Sequence, residues 1–259
     1  MNEKLKDFSF SINIESSTLD DVFNRLKNSR LTKDFGNKEW KYGTEENYLR
    51  DLIDYWLNKY DWKKHEKEIN KFSHYKIKID NIPIHFIYEK GSSENSKPLI
   101  LTHGWPWTFW DYKKIIEPLT HPEKYGGNLS DSFDVIIPSL PGYGFSTPLK
   151  KTGINFWKTS DIWVKLMTDI LGYKKFFAHG GDWGAAVTLQ LGHKYSSIVP
   201  AIHTHMAVPI DFVTNPHPDI SFYSESEKKW HEKNMNFVAE GNGYFQIQAS
   251  RPQTLAYGL

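Results

Sequence analysis

The chain has 259 residues and a formal net charge of +1, enough for one large domain or a core with a small extra one, and too balanced to favour nucleic acid or an acidic membrane surface. It has no cysteine, which excludes disulfides and thiolate metal sites. The opening residues Met1-Asn2-Glu3-Lys4 lack the apolar run of a signal peptide, and no stretch reaches the ~18 apolar residues of a spanning helix, so the expectation is a soluble or cytoplasmic protein without a transmembrane segment. The 10 Trp, 14 Tyr and 16 Phe suit deep apolar pockets and serve equally well as ordinary core material.

Residues 8–14 alternate apolar and polar side chains, which predicts a short strand. Thr18 fits a helix N-cap with Asp21 three residues on, and Leu19, Val22, Phe23 and Leu26 then share one face. A polar link runs through Phe35–Lys38. A second helix is predicted over Glu45–Tyr60, carried by Tyr48, Leu49, Leu52, Ile53 and Trp56 at three-four spacing. The charge run Lys63–Glu68 reads as a solvated helix face.

From residue 75 the period changes to two. Tyr75, Ile77 and Ile79, then Ile84, Phe86 and Tyr88, predict an antiparallel hairpin turned by Asn81-Ile82-Pro83. Gly91–Ser96 is a loop. Pro98–Thr102 and Phe133–Pro138 are continuous apolar runs, as strands covered on both faces require. Helices are expected over Trp110–Leu119, Asn155–Leu171 and Asp182–His193, and strands over Lys175–Gly180 and Ile198–His205. Pro209, Pro216 and Pro218 break the pattern. A charged helix over Ser224–Glu240 follows, closed by Gly241-Asn242-Gly243, with one more element begun after Tyr244. The order is a hairpin followed by strands alternating with helices, which predicts an open, mostly parallel α/β sheet with helices on both faces.

The centre of the sequence is Phe176–Val187. An apolar run ends in Gly180-Gly181, then Asp182, then Trp183-Gly184-Ala185 opening a helix. Gly180 and Gly184 flank Asp182 at minus two and plus two, the spacing of a nucleophile elbow, in which small neighbours let a strand turn sharply into a helix. An elbow with Asp in place of Ser changes the chemistry: a carboxylate is ionised at neutral pH and can attack a saturated carbon to give an alkyl-enzyme ester, which water must hydrolyse. The plainer reading of the same five residues is an Asx-type turn capping a helix.

His103-Gly104-Trp105-Pro106 follows the first buried strand. A loop there can supply one backbone N–H to charge developing on an ester oxygen, and the residue after the nucleophile supplies another. The candidate oxyanion donors are the N–H groups of Trp105 and Trp183. They are expected to point into one small volume beside the Asp182 carboxylate, at a pocket lined by both tryptophans; an ordinary Gly-Pro turn is the alternative.

These motifs, together with the loop Pro141-Gly142-Tyr143-Gly144-Phe145-Ser146, resemble the microsomal or juvenile-hormone type of epoxide hydrolases within the α/β-hydrolases. The likeness extends to that family's N-terminal region over residues 8–90, notably Trp40-Lys41-Tyr42-Gly43, Leu52–Trp56 and Tyr60-Asp61-Trp62, and to its cap through Gly243-Tyr244 and Gln248–Leu255. It implies an α/β-hydrolase fold in three parts: an N-terminal region over 1–90 that runs into the first hairpin, a core over 91–206, and the start of a cap over 207–259. It further implies that Asp182 opens an epoxide to a vicinal diol and that Tyr244 hydrogen-bonds the ring oxygen and lets it leave as an alcohol, with Tyr257 as a substitute. The implied partners are a small apolar epoxide and water, with no cofactor and no metal. The sequence leaves the oligomeric state open.

The family's histidine base and supporting acid follow the cap. No histidine follows His231 here, so the expectation is a chain that ends within the cap, lacks the closing strands and stalls after one slow alkylation. His179, His203 and His205 do not match the base position and read as core or strand-end histidines; His203 with His205 is a weak metal pair with no third ligand. The competing readings are a haloalkane dehalogenase, which uses the same Asp elbow but usually has Asn where this chain has Trp105, and a non-catalytic relative that binds apolar ligands.

Overall fold

The structure is a computed structural model that describes residues 3–206, 218–241 and 243–258. Contacts within the chain divide it into two units, Met1–Ala207 and Val208–Leu259. Pro209, Pro216 and Asn242 lie outside the described residues, as does the side chain of Tyr257.

The first unit is built on a six-stranded sheet: β1 (His74–Ile79), β2 (Ile82–Glu89), β3 (Lys97–Thr102), β4 (Phe133–Pro138), β5 (Phe177–Gly180) and β6 (Ile202–Thr204), in the order β1-β2-β4-β3-β5-β6. β1 and β2 pair antiparallel, β2 joins β4 antiparallel, and β4, β3, β5 and β6 are parallel. This is the open, mostly parallel α/β sheet expected from the hairpin followed by alternating elements.

The apolar runs of β3 and β4 are explained by burial on both sides. Ile100 and Ile136 face one layer of the core with Ile162, Trp163, Val187 and Leu191. Their neighbours Leu99, Leu101, Val135 and Ile137 face the other with Ile12, Ile69, Phe109 and Ile116. Two-residue alternation thus divides one continuous hydrophobic strand between two cores. The helices of the first layer are α5 (Phe156–Lys165) and α6 (Trp183–Lys194). On the other face lie α3 (Trp62–Ile69) and the short α4 (Ile116–Thr120), preceded in the chain by α1 (Ser16–Lys27) and α2 (Glu46–Asn58).

Several local expectations are corrected. The hairpin turns at Asp80-Asn81, both at positive φ (51° and 65°), the backbone a tight two-residue hairpin demands. Ile82 and Pro83 belong to β2, and Pro83 is tolerated because pairing with β4 begins only at Phe86. The predicted helix 110–119 is a 3₁₀ turn over Phe109–Tyr112 followed by α4. Pro118 cannot sit deep in a continuous helix, so the chain restarts with Pro118 in the first turn of α4. α1 begins at Ser16 with Glu15 as its N-cap and no side-chain cap bond, so Thr18 lies inside the helix. Helix 155–171 is α5 closed by a π turn over Leu166–Ile170.

The predicted strand 8–14 is an isolated bridge between Ser9 and Tyr75, followed by irregular chain. Side chains of α3 take the place of a ladder. The Asn70 amide accepts from Ile12 N–H at 2.9 Å and donates to Ile12 C=O at 2.7 Å. The Glu66 carboxylate accepts from Ile14 N–H at 2.7 Å and from the Trp62 indole at 3.1 Å. Glu66 is therefore a buried strut within the run read as a solvated face. These bonds with the backbone and the Lys63 ammonium hold its carboxyl below the usual range in spite of burial, which pushes the other way.

The second unit contains α7 (Lys228–Asn236), closed by a π turn over Phe237–Gly241, then α8 (Gly243–Ser250) and α9 (Pro252–Gly258). Gly243 opens a helix instead of ending one. No helix among the described residues is long and apolar enough to cross a membrane.

Asn70→Ala removes both bonds to Ile12 while leaving α3 intact. It is expected to cost about 1–3 kcal/mol, the usual cost of stranding buried backbone polar groups, read as a lower urea midpoint with faster proteolysis near residue 12.

Candidate active site

Strand β5 ends at Gly180, α6 begins at Trp183, and Asp182 stands between them as the helix N-cap. Its backbone is at φ 53°, ψ −126°, an unusual conformation for a residue with a Cβ. Close approach holds it there. A Cβ on Gly184 would lie 1.9 Å from the carbonyl oxygen of Thr102 at the end of β3, and one on Gly180 would lie 2.2 Å from Gly184 C=O. The two glycines let α6 descend onto the sheet at a distance no side chain permits. A Cβ on Gly181 would meet the imidazole of the exposed His205 at 1.9 Å, so that ring would have to move to admit one.

The His103–Pro106 loop leaves β3, the strand next to β5, so both loops emerge at the same end of the sheet. Trp105 N–H donates to Asp182 Oδ1 at 2.8 Å, and Trp183 N–H donates to the same oxygen at 2.7 Å. The two backbone groups named from sequence thus converge on one carboxylate oxygen, and Oδ2 stands outside that pair. Gly104 has no room for a side chain: its Cβ would lie 2.4 Å from Asp182 Cβ and 2.5 Å from Oδ1. The Trp105–Pro106 peptide is cis.

His103 is buried and fixes this loop. Leu140 N–H donates to its Nε2 at 3.0 Å, so Nε2 carries no proton, and Nδ1–H donates to Gly104 C=O at 2.9 Å. Burial pushes the His103 pKa down to about 4, the Gly104 bond and the Asp182 charge opposing only in part.

Beside the elbow lies a cavity of about 320 Å³ lined by Leu140, Pro141, Tyr143, Ile154, Phe156 and Trp183 among others. Trp183 lines it as expected, and Trp105, also expected there, is not among the lining residues. Tyr143 is a site residue that sequence reasoning left inside a loop motif. Its hydroxyl is pushed above the usual range by burial and then by the Asp182 charge, which places the phenol within the field of that carboxylate. The turn-rich spelling of residues 141–146 was the available signal.

His179 and His203 stack, with Nδ1 to Nδ1 2.8 Å apart, and His205 lies against the same ring. Register explains the group: His179 is opposite His203 in the β5–β6 pair, and His205 follows two residues on. No group of three His, Cys, Asp or Glu among the described residues is arranged to hold a metal ion. Tyr244 lies on α8 in the second unit, about half exposed.

Set beside known proteins, the chain belongs to the α/β-hydrolase fold family, whose model matches residues 97–245. The epoxide hydrolase N terminus model matches residues 8–112. The chain is 33% identical over 269 residues to epoxide hydrolase 1 of Oryctolagus cuniculus, covering 96% of this chain and 58% of that one. The solved epoxide hydrolase of Aspergillus niger superposes with a TM-score of 0.83 at 25% identity, over 97% of this chain and 65% of that one. The juvenile hormone epoxide hydrolase of the silkworm Bombyx mori gives 0.83 at 26% identity, over 97% and 61%. The chain spans 56–58% of the length of the mammalian and juvenile hormone epoxide hydrolases it matches.

Two outcomes follow from this geometry. Gly184→Ala drives a methyl into Thr102 C=O and is expected to destabilise the fold by about 3 kcal/mol or more, the range of overpacked or strained sites, read by chemical denaturation. His103 has a depressed folded pKa, so its stabilisation is complete above its unfolded pKa near 6.5 and is lost as pH falls from there toward 4. Stability should fall by about 1.4 kcal/mol per pH unit in that window from this group, and His103→Gln should flatten that part of a stability-versus-pH curve.

Proposed function

We propose that Asp182 is the nucleophile of an epoxide-opening reaction, in a site that handles small apolar epoxides and water. What carries the reading is the pair of N–H donors on Asp182 Oδ1 at a strained turn beside an apolar cavity. With Oδ1 occupied, Oδ2 attacks an oxirane carbon from the face opposite the ring oxygen. A C–O bond to Asp182 forms as the ring C–O bond breaks. The ring oxygen leaves as an alkoxide and takes a proton from a phenol, the role we assign to Tyr244.

Oδ1 then becomes the carbonyl oxygen of the alkyl ester. When water adds to that carbonyl carbon, the negative charge develops on Oδ1, where Trp105 and Trp183 N–H already stand. Donors preorganised at the site of developing charge need no reorganisation during the reaction, and removing one typically costs about 10²–10³ in rate. Breakdown of the tetrahedral intermediate breaks the C–O bond to the substrate; the leaving alkoxide takes the proton of the carboxyl it leaves behind, giving the vicinal diol and the restored carboxylate, and the proton lost by the attacking water returns through solvent to the phenolate. In this reading residues 1–90 form an N-terminal region packed on the core, residues 91–206 the core that bears the nucleophile, and residues 207–259 the start of a cap. Among the described residues no imidazole hydrogen-bonds Asp182, whose oxygen Oδ1 is held by the two backbone donors.

Incubation of the chain with an aryl epoxide should give a mass increase of one epoxide, mapped to the peptide holding Asp182, with diol appearing more slowly. Asp182→Asn should show neither. Gly104→Ala, whose methyl displaces the carboxylate from its donors, should lower the adduct rate by about 100-fold or more. Absence of both adduct and diol with the unaltered chain would overturn the reading.

A further inference from the structure

The cavity wall and the oxyanion loop both lean on the segment 139–146, and that segment is tied to one fully buried histidine that the chemistry above does not use. We propose that His85 is a positioning residue: through Ser139 it holds the 139–146 segment in the place that shapes the cavity and anchors His103. The kinetic part of this inference rests on the proposed role of Asp182; the structural part does not.

The hydrogen bonds have one consistent direction. Ile69 C=O can only accept, so His74 Nε2, 2.9 Å away, carries the proton. Burial favours the neutral form of both His74 and His85. His74 Nδ1 therefore accepts, and the proton between the two rings sits on His85 Nε2, at 2.9 Å. His85 Nδ1 is left as an acceptor, and Ser139 O–H donates to it at 2.9 Å. The backbone of the same residue clips the segment at both ends: Ser139 N–H donates to His85 C=O at 2.9 Å, and His85 N–H donates to Ser146 Oγ at 3.0 Å. Ser146 O–H closes the ring onto Ser139 C=O at 2.7 Å.

The His85 ring also meets three aromatic side chains from three segments. Phe10 comes from the N-terminal chain, Phe109 from the turn after the oxyanion loop, and Phe145 from the 139–146 segment, with ring centroids 5.5, 4.8 and 5.3 Å away. A strand position of this kind needs only an apolar side chain to fill the core. An imidazole that accepts from one loop and donates toward the N-terminal region fixes direction as well as volume.

From Ser139 the path to the site is short. Leu140, the next residue, lines the cavity, and its N–H is the donor that sets the His103 tautomer. His103 Nδ1–H in turn holds Gly104 C=O, the carbonyl of the same peptide whose N–H, on Trp105, donates to Asp182. Pro141 and Tyr143 complete the wall from the same segment.

The test compares the full chain with Ser139→Ala, which strands only His85 Nδ1, and with His85→Phe, which keeps the ring contacts and loses both nitrogens. The first readout is the His103 imidazole N–H by proton NMR. In Ser139→Ala its exchange with water should speed up by about tenfold or more, as local opening becomes easier. The second is saturation kinetics of adduct formation on Asp182. The half-saturating epoxide concentration should rise by about fivefold or more in both variants, with the limiting rate changed less. The double variant should be no worse than His85→Phe alone. A lowered thermal midpoint with unchanged His103 exchange and unchanged half-saturation would mean that the histidine is only core material, and would overturn the inference. If the unaltered chain forms no adduct, the role of Asp182 fails, and the His103 exchange measurement alone decides the role of His85.

Discussion

Two backbone N–H groups from separate segments close on one oxygen of Asp182, and most of the first unit serves to keep them there. One follows β3, the other opens α6, and they meet because β3 and β5 are parallel neighbours whose ends lie together. The separation is set by contact between Gly184 and Thr102 C=O, and by Gly104 against Asp182. Positive φ at Asp182 is the strain this closeness demands, and the packed sheet below holds it.

A second carboxylate shows what the arrangement is not. Asp134, at the opposite end of the parallel strands, is buried with both oxygens occupied. Oδ1 accepts from Gly91 N–H at 2.9 Å; Oδ2 accepts from the Lys90 ammonium at 2.7 Å and the Tyr173 hydroxyl at 2.5 Å. Held in this way on both oxygens, it ties the chain after β2 to β4. Asp182 instead carries its two backbone donors on Oδ1, the asymmetry on which the reading proposed above rests.

The N-terminal segment is joined to the core by polar side chains more than by strand pairing. Asn70 and Glu66 hold the backbone of Ile12 and Ile14, and Phe10 meets His85 edge to face. Buried histidines suit such connections because a neutral imidazole offers one donor and one acceptor on opposite sides. The same burial that keeps His74, His85 and His103 neutral gives each a defined tautomer, and their bonds run from the N-terminal region toward the oxyanion loop.

The sequence by itself was sufficient for the central strands and the elbow, because each rests on local rules. Apolar runs over 98–102 and 133–138 require a strand covered twice, and Gly180-Gly181-Asp182-Trp183-Gly184 admits few backbones other than a sharp strand-to-helix turn. Where a prediction missed, a distant partner had intervened. Residues 8–14 carry a strand pattern, yet their backbone groups are taken by side chains from α3. Glu66 reads as solvated in its charge run and is buried by a segment about fifty residues away. Tyr143 has only the turn-rich pattern of its loop as a local sign, and nothing local marks His85, to which the β2–β4 pairing brings Ser139. Pattern along the chain decides which elements form, since propensity and periodicity act over a few residues. Which polar groups meet was decided only by the tertiary structure, since hydrogen bonds between segments depend on distances that no local spacing encodes.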